Sequence, residues 1–212
     1  MKALRCRGIV HLPGIVLGIV LCLLSSSGYA KPWGNRFDVL FDQPGADVVT
    51  MRNKDGSETR RVELPGNVVV EQTRQGDQVS TIAMDRSGHG AILCSWRILV
   101  EVKLELDACP SSSTGEVRNR LSYQLERFNK FIRENSYSLM KQEDLDGYVE
   151  KRKAVVERKI SDAKRREGGG QCLSKFVAQL VTNMEAQSRA AFEAELDQAL
   201  SVPRFPVAAP CL

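Results

Sequence analysis

The hydrophobic period of this chain changes near Cys109-Pro110, and that change constrains the fold more than any other feature of the sequence. Side chains alternate across a strand but return to one side of a helix every 3.6 residues, so the two halves call for different elements. Before the change, short runs rich in Val, Leu, Ile and Thr occupy residues 37–41, 47–51, 60–64, 67–72 and 78–84. Pro44-Gly45, Asp55-Gly56, Pro65-Gly66, Gly76-Asp77 and Gly88-His89-Gly90 separate or follow them. Turn signals at such intervals predict an antiparallel meander. Asp55-Gly56 is the best hairpin turn, because glycine tolerates the positive φ that such turns need.

Residues 92–108 extend the pattern. Ile92, Cys94, Trp96, Ile98, Val100, Val102, Leu104, Leu106 and Ala108 alternate with a side that carries Arg97, Glu101, Lys103, Glu105 and Asp107. Read with period two, this is a long strand with one face on a core and one in water. It would span ~55 Å, so a bend or bulge is expected near its middle.

After Cys109 the period is helical. Ser113 and Glu116 have the spacing of a capping box. Val117, Leu121, Leu125, Phe128 and Ile132 follow on one helical face, with an end expected at 135–138. Leu145, Val149, Val156, Ile160 and Ala163 suggest a second helix, although Gly147 lies within it and Arg152 falls on its stripe. Gly168-Gly169-Gly170 is its expected stop. A third helix carries Leu173, Phe176, Val177, Leu180, Val181, Met184, Phe192, Leu196 and Leu200 on one broad face. Pro203 and Pro206 then force an extended tail. The expected fold is α+β: an N-terminal antiparallel meander of about five or six strands packed against two or three C-terminal antiparallel helices.

The first thirty residues are read as a cleavable signal peptide. Lys2, Arg5 and Arg7 form a positive start, residues 14–24 an uncharged apolar run, and Gly28 and Ala30 the small residues before a cut after Ala30. The apolar run is too short for a spanning helix, which needs ~20 residues. Residues 31–212 are then expected to be one domain: a sheet part at 31–109, a helical part at 110–201 and a tail at 202–212. The leader holds three of the 30 basic residues and none of the 26 acidic ones, so the remainder stands at 27 against 26. That balance removes the basic signature of a nucleic-acid-binding protein. No later run predicts a transmembrane helix.

Cys94, Cys109, Cys172 and Cys211 remain after the leader. An even number in an exported chain reads as two disulfides. A straight strand would hold Cys94 and Cys109 ~50 Å apart, whereas a disulfide needs Cα atoms within ~7 Å. Three antiparallel helices return Cys172 to Cys109 and carry the tail toward Cys94. The expected pairs are Cys109–Cys172 and Cys94–Cys211.

The sequence names no reaction and no family. His89, the only histidine after the leader, sits in a glycine turn with no nucleophile or orienting partner identifiable nearby. Glu101, Glu105 and Asp107 could serve as paired carboxylates, but they alternate with Arg97 and Lys103. Asp144-Leu145-Asp146-Gly147 lacks the ligand spacing of a calcium loop. The triple glycine lacks the Lys-Ser/Thr of a phosphate loop. No cofactor and no metal is expected. The most distinctive surface is basic: Lys151, Arg152, Lys153, Arg158, Lys159, Lys164, Arg165 and Arg166 stand against only Glu157 and Asp162. The same residues suit the C-terminal end of a helix dipole. The leading expectation is a cell-envelope protein, periplasmic in a Gram-negative cell and otherwise secreted. It would bind an envelope protein or an anionic envelope surface through the basic helix. The alternatives are a secreted hydrolase assembled from scattered residues such as His89, and an inhibitor of such a hydrolase.

Overall fold

The computed structural model describes residues 33, 35–110, 113–167 and 172–211. The leader at 1–30 and Gly168-Gly169-Gly170 lie outside the described residues. Among the described residues the first element is a short helix, α1 (Asp38–Phe41). Four strands follow: β1 (Val48–Arg52), β2 (Glu58–Leu64), β3 (Val68–Gln75) and β4 (Gln78–Asp85). They form one antiparallel meander in chain order. Five helices complete the fold: α2 (Ile92–Ala108), α3 (Gly115–Asn135), α4 (Gln142–Glu167), α5 (Lys175–Ala186) and α6 (Arg189–Leu200).

The meander follows the turn chemistry. At the β1–β2 hairpin Asn53 and Ser57 close the loop, the Ser57 carbonyl accepting the Asn53 N–H at 2.8 Å, and Gly56 adopts φ 83°. The Ser57 hydroxyl and amide both donate to the Asp55 carboxylate, which holds it below the usual aspartate range. The β2–β3 turn uses Gly66 at φ 77° beside the C-terminal tail. A Cβ at Gly66 would stand 2.5 Å from the Cβ of Arg204 and 2.8 Å from the Pro203 carbonyl oxygen. Gly76, at the β3–β4 turn, has φ 61°, and a Cβ there would meet nothing within 4 Å. Gly66→Ala should therefore cost about 3 kcal/mol, from backbone strain plus overpacking. Gly76→Ala should cost about 1 kcal/mol, from strain alone. Urea unfolding of the two variants measures the difference, and equal losses would contradict the close approach at Gly66.

The sheet is shorter than expected. Residues 37–41 form no strand, since 38–41 coil into α1, and the long strand at 92–108 is a helix, so among the described residues four strands replace five or six. The physical reason lies in the position of α2. Apolar side chains at every second position of a helix spread over its whole circumference, as suits a helix surrounded by protein. Helix α2 packs on α3, α4 and α5, and buries Ile92, Cys94, Trp96, Val100, Val102, Leu104 and Leu106. Each of the aliphatic side chains among them contributes about 1.5–3 kcal/mol on burial.

Among the described residues five helices, rather than two or three, follow the sheet. Thr114 caps helix α3, its hydroxyl accepting the Val117 amide, so the cap falls one residue after Ser113. The expected third helix is two, α5 and α6, broken where Ser188 caps α6 by accepting the Ala191 N–H at 3.2 Å. Phe176, placed on the buried face by the single-helix reading, is 57% exposed.

Two apolar cores result. One gathers α2, α3, α4 and α5 with Leu196 of α6 around Trp96, Leu121 and Ile132. The other joins the sheet's Val62, Leu64, Val68 and Val70 to Leu40, Phe41, Phe205 and Val207. Ile98 and Met140 touch both.

The extended tail crosses the junction. Ala209 forms a parallel bridge with Met84, and its carbonyl accepts the Asp85 amide at 2.8 Å. The Val207 carbonyl accepts the Leu93 amide at 2.9 Å. Arg204 is the largest fully buried side chain among the described residues. It pairs with Asp85 at 2.6 Å and donates to the carbonyls of Gly90, Ala199 and Val202. Disulfides join Cys94 to Cys211 and Cys109 to Cys172. The straight strand that kept Cys94 from Cys109 does not exist. As helix, the segment between them rises only about 22 Å, which still keeps them apart.

Candidate functional site

Helices α3 and α4 both pack on α2 and leave a cleft of about 690 Å³ between them. Each helix supplies one stripe. Trp96, Val100 and Leu104 of α2 recur every four residues and form the floor. Leu125 of α3 and Leu145 and Val149 of α4 form apolar walls. Trp96 is fixed at the floor, its indole N–H donating to the Asn129 side-chain oxygen at 2.7 Å. The upper walls are charged: Glu126 and Arg133 rise from α3, and Asp146, Glu150, Lys153 and Glu157 from α4. A concave apolar floor beneath a few polar groups is the usual form of a small-molecule site.

The charges around this cleft are unequally engaged. Lys103 and Asp107, both on α2, pair at 2.8 Å, and Arg118 approaches Asp107 at 3.6 Å. Asp146 accepts from Gln142. Glu126, Glu150 and Glu157 have no ion-pair partner within 4 Å among the described residues. The lining includes no histidine or cysteine.

A second, more open cleft of about 810 Å³ lies between β4, the starts of α2 and α4, and the tail. Trp96 lines both. Its ring meets Tyr148 at 5.1 Å between centroids, and Arg97 lies 5.6 Å over the same tyrosine.

Three of the eight basic residues of the expected surface, Arg152, Lys159 and Arg165, are in ion pairs. Arg152 pairs with Glu101 of α2, a hydrogen bond that raises its pKa further. This explains how an arginine can sit on the apolar stripe of α4: its partner comes from α2. Lys159 lies 3.6 Å from Glu105, which is nearly buried and also accepts the Ser174 amide at 2.8 Å. Arg165 pairs with Asp162 along the helix. Lys151, Lys153 and Arg158 are exposed, with no ion-pair partner among the described residues. The side chains of Lys164 and Arg166 lie outside the described set.

The remaining candidates are separated. His89 is half-buried in the β4–α2 connection. Its Nδ1 has no partner among the described residues, and neighbouring Asp85 is engaged by Arg204 and Ser87. Glu101, Glu105 and Asp107 are each in an ion pair. Asp144 and Asp146 belong to the first turns of α4, where Asp144 accepts the Lys141 amide at 2.8 Å. Among the described residues no group of three His, Cys, Asp or Glu side chains could hold a metal ion. No described helix is long and apolar enough to cross a membrane.

Comparison with protein-family models, with curated proteins and with solved structures gives no match. Sequence reasoning missed the cleft because it placed its floor on a strand. Read at helical spacing, Trp96, Val100 and Leu104 would have marked it.

Proposed function

We propose that this chain is an exported, disulfide-bonded protein of the cell envelope that acts by binding a partner in the α2–α3–α4 cleft. In a Gram-negative cell its compartment is the periplasm; in other cells it is secreted. The leader pattern and the two disulfides support export. The observation that carries the binding reading is the cleft itself, with its apolar floor, charged walls and a volume within the usual ligand-site range of about 300–1,000 Å³. Ser122 is an exposed lining residue on α3, so Ser122→Trp fills the opening while sparing the core. A fragment screen followed by amide chemical shifts should place binders at Trp96, Leu125 and Val149, and Ser122→Trp should remove those responses. Responses scattered over the surface, or unchanged by the substitution, would defeat the reading.

A second reading, contact with an anionic envelope surface, draws on the exposed Lys151 and Arg158 of α4. Neither lines the cleft between the three helices. Lys151→Glu with Arg158→Glu should abolish sedimentation with vesicles of anionic phospholipid and leave the melting temperature unchanged. Equal sedimentation of both proteins would dismiss it.

A further inference from the structure

We infer that the α2–α3–α4 cleft takes a small amphipathic cation, an apolar chain or ring bearing one positively charged nitrogen. The inference rests on the reading of the cleft as the binding site and adds the chemistry of its ligand. The floor from Trp96 to Leu104 runs about 12 Å along α2, with Leu125 and Val149 facing it from the walls. Such a trough suits a slender apolar body beneath its charged rim.

Charge selects the head group. Among the lining residues acids outnumber bases by five to three. Lys103 is held by Asp107 within α2. That leaves Arg133 and Lys153 against Glu126, Glu150, Glu157 and Asp146. Arg133 donates its Nε to the Asn129 carbonyl along its own helix. Glu150 and Glu157 stand two turns apart on α4, with Lys153 between them and paired to neither. A carboxylate or phosphate entering this trough meets like charge at its rim, whereas an ammonium finds Glu126 on one wall and Glu150 on the other.

The test compares octylamine, octanol and octanoate, which share a chain and differ in charge. In protein carrying Trp33→Phe, Trp96 is the sole tryptophan and reports on the floor by its fluorescence. At low ionic strength octylamine should bind about tenfold more tightly than octanoate, with octanol between them. The double variant Glu126→Gln and Glu150→Gln alters only exposed side chains. It should weaken octylamine about fivefold and leave octanol unchanged. Octanoate binding as tightly as octylamine, or octylamine binding untouched by the double variant, would overturn the cationic ligand while leaving the cleft a binding site. Failure of all three probes to perturb Trp96 would instead remove the cleft as a site.

Discussion

Arg204→Met should destabilise the protein by about 3–5 kcal/mol, because it leaves the Asp85 carboxylate buried without its cation. The Arg204 side chain is 0% exposed and that of Asp85 1%. The guanidinium also satisfies the carbonyls of Gly90, Ala199 and Val202, and stacks 5.6 Å over the Phe131 ring. These partners belong to the β4–α2 connection, the end of α6, the tail and α3. One side chain therefore ties the sheet, the helices and the tail together. Adding Asp85→Asn to Arg204→Met removes the stranded charge, so the double variant should lose less than the sum of the single losses. Urea unfolding of the three variants is the measurement. A loss below about 1 kcal/mol for Arg204→Met would mean that the pair is not buried in solution.

Removing the Cys94–Cys211 bridge, by serine at both positions, should cost about 2–5 kcal/mol. It closes a separation of 117 residues, against 63 for Cys109–Cys172, so the chain-entropy effect is slightly larger. It also holds the end of the tail whose Ala209 and Val207 hydrogen-bond β4 and α2. For a domain of this size the loss corresponds to a fall in melting temperature of roughly 10 °C. Hydrogen exchange should show the change beginning at residues 203–211 and in the Asp85 amide. Loss of protection in α5 first, with the tail unaffected, would contradict the assignment of the tail as the tie.

Local chemistry made much of this fold legible. The turns at Asp55-Gly56, Pro65-Gly66 and Gly76-Asp77 fall between the observed strands, because positive φ at glycine is a local demand. The face of α3 was readable because Val117, Leu121, Leu125, Phe128 and Ile132 cover only one side. Helix α2 was not, because a surrounded helix shows no single apolar stripe and its alternation imitates a strand. Its length of 17 residues and its content of Leu, Glu and Lys were the signals that favour helix. The same misreading hid the cleft, whose floor is α2. The basic run of α4 was visible, but the partners of Arg152 and Lys159 come from Glu101 and Glu105, about fifty residues away in the chain.

Intact mass and non-reducing peptide mapping of the protein recovered from the cell envelope bear most directly on the account. The expected chain begins at Lys31 and has no free thiol. Its linked peptides join Cys94 to Cys211 and Cys109 to Cys172. A chain that retains Met1, or that carries four free cysteines, would contradict export into an oxidising compartment.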